Sequence, residues 1–514
     1  MPASATIRQR YRLQEHGARQ SLYSRTRSVT GLQTRGKTRR PPIEHEFDHV
    51  ASRDRTGPMK TASYIPGRLK QLPWTGSAGK GRRRARIIVG LLLAMCLAPV
   101  CGGYSVLTHE AIIDAAWKDN IAPQLLKRFP DATPKELLQA HAYVYGGAII
   151  QDMGYYPFGS KFFSDLTHYV RSGDFVLALL SESKDLNEYA FALGALAHYA
   201  ADRSGHPLAT NPSVALMYPK LAKKYGPVIT YEDNPAVHLR VEFAFDVDQV
   251  AEGHYAASAY HDFIGFEVSK PLLERAFFKT YSIELSSVFA SVDLSIGTYR
   301  YAVSKVIPRT TKVAWHLKKD QIKNSDPSET RKKFVYNISQ SGYRKEWGHI
   351  YEKPGFFTRV KAFFVRLVPK VGPFSALAFH PPTPAVEQMY MHSFNETLAH
   401  YQKLLAAQGA GRLLLENDNL DTGGTTEAGV YRPADKSYAK LLLKLDGKPV
   451  SEDLRRNILA FYADLGKPFV TKKNQREWKN VLRELDTLKA EEKIRAHARL
   501  MPTRQVTEWE DQVE

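Results

Sequence analysis

Two pairs of potential metal ligands occur at helical spacing in this chain. His198 and Asp202 lie in ALAHYAADRSGHP, and His238 and Glu242 lie in HLRVE. Residues four positions apart share one face of a helix, so each pair would place an imidazole beside a carboxylate. Zinc binds imidazole nitrogen and carboxylate oxygen readily. The spacing therefore predicts two helices that present metal ligands to a common interior.

Further histidines and carboxylates extend this set to a candidate metal centre. The candidates are His109, Asp152, His168, His198, Asp202, His206, His238 and Glu242. A single buried histidine is more often a hydrogen-bonded core residue than a ligand, but two such pairs together are not expected from packing alone. The other histidines after residue 103 lack comparable neighbours and are interpreted as structural. Eight ligands exceed the four of one tetrahedral zinc and suit two or three ions, which could clamp a phosphate between them.

Helical periodicity supplies the elements that must position these side chains. Apolar residues recur at spacings of three and four, which predicts an all-α catalytic domain over residues 104–310. Thr108 is the predicted N-cap of a helix that begins at His109. A helix over Pro134–Ile150 would deliver Asp152 at its end. Helical bundles build cofactor sites in this way, from side chains that face each other in the interior.

The first 103 residues differ in composition from the rest. Residues 1–86 contain 20 Lys and Arg against 5 Asp and Glu, which places 15 of the 19 net positive charges there and predicts a disordered basic extension. The following segment, 87–103, contains a 14-residue apolar run and small residues, which indicates an export signal. The run is shorter than the ~20 residues of a membrane span, although an uncleaved signal could still anchor the protein.

Export and cleavage would have two consequences for the mature chain. Cleavage after Gly103 would leave Tyr104 as its first residue. Both cysteines, Cys96 and Cys101, lie in the signal, so any metal in the mature chain must be bound by nitrogen and oxygen. We expect an exported protein, either periplasmic or secreted.

The region after residue 310 carries fewer signals. Residues 311–433 predict a mixed helical extension and linker, with a long loop at Asn417–Pro433. Within this region, Gly355–Val368 has one apolar face, which fits a core helix or, alternatively, a helix that binds a membrane surface. Residues 434–514 predict a C-terminal helical region.

The order of the motifs resembles that of one enzyme family. H-E at His109, Q-D-M-G around Asp152, T-H-Y around His168, and the stretches that contain His198 and His238 follow one another as in the bacterial zinc-dependent phospholipase C family. More distantly, the chain is similar to the zinc-dependent single-strand nucleases of the same fold. The resemblance covers about residues 104–290 and implies an α-helical domain with three zinc ions in a cleft.

The resemblance also implies a ligand set for each ion. By matching motif, the first zinc would be held by Asp152, His168, His198 and Asp202, the second by His206, His238 and Glu242, and the third by His109, Asp202 and the mature N-terminal residue. That residue is typically Trp in the family, and here the candidate is Tyr104. A zinc-bound hydroxide would attack the phosphorus atom, with Asp152 as the residue that orients or deprotonates the water.

Three functions are compatible with these observations. The first is a phospholipase C that cleaves phospholipids at a membrane surface. The second is a single-strand nuclease, for which aromatic residues near Asp152 could stack bases. The net charge of only +4 after residue 86 gives little attraction for nucleic acid, so no stable nucleic-acid partner is expected. The third is a non-catalytic helical protein that zinc merely stabilises. Nothing in the sequence indicates an oligomeric state.

Overall fold

The computed structural model of the chain describes residues 106–252, 266–325, 327, 330–337, 380–471 and 474–500. Four predictions lie outside these residues, namely the basic extension at 1–86, the export signal at 87–103, the candidate N-terminus Tyr104 and the amphipathic segment Gly355–Val368. None of the described helices is both long and apolar enough to cross a bilayer.

The described residues are predominantly helical and contain no strand, which confirms the predicted all-α class. The helices up to residue 325 are α1 (Val106–Ala116), α2 (Ala122–Arg128), α3 (Pro134–Ile149), α4 (Lys161–Tyr169), α5 (Ser172–Glu182), α6 (Leu186–Gly205), α7 (Asn211–Met217), α8 (Pro219–Tyr225), α9 (Pro235–Glu252), α10 (Lys270–Tyr281) and α11 (Val292–Ser325). The later helices are α12 (Arg331–Asn337), α13 (Pro384–Gly409), α14 (Arg432–Leu445), α15 (Glu452–Phe461) and α16 (Gln475–Leu500). Single π-helical turns lie at Trp117–Ile121 and His206–Thr210, and single 3-10 turns lie at Ile150–Tyr155 and Leu285–Ser287.

Local sequence signals explain where two of the ligand-bearing helices begin. Before α3, the Thr133 hydroxyl accepts from the Glu136 amide at 3.3 Å, and the Glu136 carboxylate accepts from the Thr133 amide at 2.8 Å. This reciprocal cap, followed by Pro134, satisfies amides that have no partner inside the helix. At the start of α6, the Asp185 carboxylate accepts from the Glu188 amide at 2.8 Å.

The start of α1 differs from the prediction. The helix already includes Val106, so the assignment of Thr108 as the N-cap of a helix beginning at His109 was wrong. The amide and hydroxyl of Thr108 instead donate to the Asp246 carboxylate of α9, at 3.0 and 2.9 Å. A residue from a distant helix thus satisfies first-turn amides in place of a local cap. The same contact ties α1 to the helix that carries the second predicted ligand pair.

Glycine residues allow α3 and α6 to cross closely. A Cβ added at Gly147 of α3 would lie 1.9 Å from the Phe191 carbonyl oxygen, and one added at Gly194 of α6 would lie 2.0 Å from the Val144 carbonyl oxygen. The two backbones are therefore nearer than any side chain at these positions would permit. This crossing sets the distance between the end of α3, which leads into Asp152, and the ligand-bearing half of α6.

Gly194→Ala is expected to destabilise the protein and to lower its zinc content. The added methyl group would push α3 away from α6, at a cost of about 3 kcal/mol, near the upper end for overpacking. Urea unfolding and metal analysis would measure both effects. Gly297→Ala is the matched control, because a Cβ at Gly297 of α11 has nothing within 4 Å. Wild-type stability and zinc content in Gly194→Ala would show that the close crossing of α3 and α6 does not determine the geometry of the metal site.

The C-terminal helices share one hydrophobic core with the ligand-bearing helices. A single cluster of buried side chains includes Val106 of α1, Phe191 of α6 and Leu488 of α16. Tyr401 of α13 is fully buried, and its hydroxyl donates to the Leu193 carbonyl of α6 at 2.9 Å. α14 packs against α4. Helices from beyond residue 380 are thus direct packing partners of α4 and α6.

Candidate metal centre

Four buried side chains from α4, α6 and the turn after α3 form a first cluster. Its members are Asp152, His168, His198 and Asp202, whose ligand atoms lie within 4.8 Å of one another. His168 Nε2 and His198 Nε2 are each 3.2 Å from Asp202 Oδ2 and 3.2 Å from each other. Asp152 Oδ1 is 3.4 Å from His168 Nε2. The structure therefore brings together the four residues that the resemblance assigned to the first zinc.

Backbone carbonyls orient both imidazoles of this cluster. His168 Nδ1 donates to the Ser164 carbonyl at 2.7 Å, and His198 Nδ1 donates to the Ala148 carbonyl at 2.9 Å. A carbonyl can only accept, so the proton is on Nδ1 in each ring and Nε2 faces the carboxylates. This arrangement turns the two Nε2 atoms and two carboxylates towards one another, where a proton on Nε2 or a metal cation would offset the negative charge.

The electrostatics of the first cluster also favour a positive charge. Burial lowers the pKa of His168, but hydrogen bonding and negative charge from Asp152 and Asp202 outweigh it and raise the pKa to about 10. Burial raises the pKa of Asp202, but the imidazoles of His198 and His206 hold it well below its usual range. Asp202 is therefore an ionised carboxylate in a fully buried position, where a charge without a counter-charge is costly.

His109 extends the cluster from α1. Its ring stacks on His198 with centroids 4.5 Å apart, and its Nε2 lies 3.4 Å from Asp202 Oδ1. One oxygen of Asp202 thus faces His109 and the other faces His168 and His198, so this carboxylate could contribute to two ions if both were bound. Burial, followed by the nearby His198, lowers the pKa of His109 to about 4. The ring is therefore neutral at pH 7, as a metal ligand must be.

A second cluster lies where α6 ends. Ligand atoms of His206, His238 and Asp421 lie within 4.8 Å of one another. Glu242 Oε1 is 2.7 Å from His238 Nδ1 and 3.9 Å from His206 Nε2. His206 Nε2 is also 3.9 Å from Asp202 Oδ1, which joins the two clusters. The structure thus brings the predicted His206, His238 and Glu242 together and adds one residue.

That added residue, Asp421, was missed by the sequence analysis. It lies in the segment interpreted as a long loop or linker, yet its side chain is almost fully buried. Its Oδ1 is 2.9 Å from His206 Nδ1 and 3.6 Å from His238 Nε2. The only signal in the sequence is a pair of aspartates, Asp418 and Asp421, just before a Gly-Gly turn. No helical spacing connects either of them to the histidines.

Buried polar atoms without well-directed hydrogen bonds show that these residues fit metal ions. Among the described residues, several atoms of these clusters are buried but make no well-directed hydrogen bond, although each lies within 4 Å of another candidate ligand atom. They include Asp152 Oδ1, both carboxylate oxygens of Asp202, His238 Nδ1 and Glu242 Oε1. Folded proteins pair nearly all buried polar groups, so such a concentration needs an explanation. Zinc is bound by this combination of imidazole nitrogen and carboxylate oxygen, and ions at the two clusters would satisfy these atoms.

Two tyrosines line the clusters. Tyr155, in the turn after α3, has its ring centroid 5.8 Å from that of His168, and Tyr231 lies 5.9 Å from His238. The two tyrosine rings are 6.1 Å apart. The Lys161 ammonium lies 5.7 and 5.8 Å from their centroids. Aromatic surface and a positive charge therefore lie beside both clusters.

Comparison with known proteins agrees with the geometry. Residues 108–291 match the model of the family described as zinc dependent phospholipase C. No curated protein and no solved structure shows a significant match to the chain. The matched segment contains every predicted ligand from His109 to Glu242 and ends well before Asp421. The resemblance read from the motif order is confirmed, because residues 108–291 match the model of the zinc-dependent phospholipase C family.

Proposed function

We propose that this protein is a zinc-dependent phosphodiester hydrolase of the phospholipase C type, which cleaves phospholipids to release the phosphorylated head group. The observation that carries the proposal is the convergence of buried histidine and carboxylate side chains whose ligand atoms lie within 4.8 Å of one another in two clusters. The family domain at 108–291 supports the same class of reaction. A phospholipid substrate implies contact with a membrane surface. An exported location is part of the proposal and rests on the sequence of residues 81–103.

The proposed ligand sets follow the two clusters. Asp152, His168, His198 and Asp202 would hold the first ion. His206, His238 and Glu242 would hold the second, and His109 with Asp202 would hold a third. In the third site, Tyr104 would complete the set as the mature N-terminal residue. Bound zinc would supply positive charge to a phosphodiester and would lower the pKa of a water molecule towards neutrality.

The chain's own residues have three tasks in this mechanism. The carbonyls of Ser164 and Ala148 hold the His168 and His198 rings in the required orientation. Asp152, whose Oδ1 is buried 3.4 Å from His168 Nε2, would accept the proton of the attacking water. The rings of Tyr155 and Tyr231 exclude bulk water from the reacting phosphate and offer apolar surface to the glycerol part of the substrate.

Asp152→Asn is expected to weaken zinc binding at the first cluster and to lower turnover by at least about 100-fold even when zinc is bound, because an uncharged amide is a poorer ligand and cannot accept the proton. Metal analysis and turnover of a phosphocholine diester would be measured on the same sample. Asp174→Asn is the matched control, since Asp174 is a carboxylate on α5 that pairs with Arg171 and not with a predicted metal ligand. Full activity at full zinc occupancy in Asp152→Asn would remove this residue from the mechanism.

The function itself is tested with the full chain, by measuring zinc content and turnover of a phosphocholine diester and of single-stranded DNA. Two or three zinc ions with turnover of the lipid analogue alone would support the proposal. DNA cleavage would favour a nuclease, for which the Tyr155 and Tyr231 rings could stack bases. Zinc without either activity would indicate a structural role. Less than one zinc ion per chain would overturn the whole assignment.

A further inference from the structure

A loop from the C-terminal part of the chain lies against the ligand-bearing helices. This loop, Asn417–Thr426, is named the docking loop. Its Leu420 amide donates to the His168 carbonyl at 3.1 Å, and the Ser172 hydroxyl donates to the Asp418 carbonyl at 2.6 Å. The Asp418 carboxylate also pairs with the Arg203 guanidinium of α6.

A glycine in the docking loop confirms how closely it approaches α6. Gly423 has a φ of +74°, and a Cβ there would lie 2.7 Å from the Arg203 carbonyl oxygen. Only a residue without a side chain fits both the left-handed backbone and this distance. The loop is therefore held in a defined position at the end of α6, next to His206.

Asp421 is the residue of the docking loop that reaches the metal centre. Its Oδ1 accepts from His206 Nδ1 at 2.9 Å. Its Oδ2 accepts from the Tyr231 amide at 3.1 Å and from the Tyr431 hydroxyl at 2.7 Å. The Asn211 side-chain amide donates to the Asp421 carbonyl at 2.7 Å. Both carboxylate oxygens therefore already have hydrogen-bond donors.

In each imidazole of the second cluster, one ring nitrogen makes a hydrogen bond to Asn211 or Asp421 and the other faces Glu242. His238 Nε2 donates to Asn211 Oδ1 at 2.8 Å, which leaves Nδ1 beside Glu242 Oε1. Because His206 Nδ1 is bonded to Asp421, its Nε2 is the atom that faces Glu242 and Asp202, at 3.9 Å each. Each ring thus has an outer partner on one nitrogen and the other nitrogen towards Glu242. Outer partners of this kind fix the tautomer and the direction of metal-binding histidines.

We propose that Asp421 is a positioning residue of the second zinc site, which it completes from outside the family domain. It holds the proton on His206 Nδ1 and so presents the lone pair of Nε2 to the ion bound with His238 and Glu242. The inference rests on the proposed function only in that it requires zinc at this cluster. The match to the family ends at residue 291, so the docking loop is a contribution of this chain's C-terminal region.

The first test compares zinc affinity in full-length Asp421→Asn and Asp418→Asn, by competition with a chelator. Asp421→Asn is expected to bind one zinc ion about 10 to 100-fold more weakly, the usual effect of losing an outer carboxylate. Asp418→Asn is the matched control, because it loses a buried carboxylate of the same loop that bonds to Arg203 and not to a histidine. Equal affinities in wild type and Asp421→Asn would overturn the proposal, as would equal weakening in both variants.

The second test needs no variant and uses nitrogen-15 NMR of labelled histidine in the zinc-loaded wild-type protein. The expected result is a His206 ring protonated on Nδ1, with slow exchange of that proton. Protonation on Nε2 would place the ion on the Nδ1 side, make Asp421 a direct ligand and overturn the positioning role. Absence of zinc from the wild type would contradict the proposed function, whereas a zinc-loaded, active wild type with the other tautomer would contradict this inference alone.

Discussion

Asp202→Asn is expected to remove zinc from more than one site and to lower phosphodiester turnover by roughly 10³-fold or more, since several kcal/mol of charge stabilisation are lost with the ions. Asp202 Oδ2 is 3.2 Å from both His168 Nε2 and His198 Nε2. Asp202 Oδ1 is 3.4 Å from His109 Nε2. An amide has no charge and can offer only one acceptor atom, so it cannot serve both sides of the cluster.

Metal analysis and turnover on the same preparation would test this expectation. Asp114→Asn is the matched control, because Asp114 is another buried carboxylate, which accepts from the Tyr145 hydroxyl and lies 3.2 Å from His141 Nε2. The control should keep its zinc and its activity. Wild-type zinc content in Asp202→Asn would mean that the Asp202 carboxylate is not needed to bind zinc at either site.

Removal of zinc by a chelator should lower the melting temperature by at least about 10 °C, because several kcal/mol of binding free energy are linked to folding. The apo protein would have to bury the carboxyl groups of Asp152, Asp202 and Glu242 close together, with only histidine imidazoles to offset their charge. Calorimetry of the full chain, before and after chelation, would measure the change, with metal analysis to confirm that zinc has left.

Addition of zinc should restore the melting temperature, whereas magnesium should not, since magnesium prefers oxygen ligands over imidazole. A melting temperature that stays the same after verified loss of zinc would contradict a coupling between the ions and the fold. The histidines and carboxylates would then have to be ordinary core residues that satisfy one another.

Much of the site could be predicted because its ligands lie on helices. His198 and Asp202, like His238 and Glu242, are four positions apart, and both pairs lie on the helices that the periodicity indicated, α6 and α9. Asp152 was placed correctly at the end of a helix, because Pro134 and a capping box mark where α3 begins. The four-residue spacing on a helix was therefore enough to predict which side chains share a face.

Contacts between residues far apart in the chain were not predictable in the same way. Asp246 replaces a local cap at Thr108, and Asp421 bonds to His206, although each partner is more than a hundred positions away. Neither contact has a spacing that a helical or strand period would reveal. The docking loop is also rich in polar residues and glycine, which is the composition of a surface linker, and its burial follows only from the packing of α13 and α14 on the earlier helices.

The bond between His206 and Asp421 joins residues 215 positions apart. A ribosome makes all eight predicted ligands before it reaches residue 421, so this bond can form only after the later segment has emerged and folded back. The second cluster would thus gain the outer partner of His206 only after most of the chain has been synthesised. Loss of the segment after α13 would remove this outer partner without removing any of the eight predicted ligands.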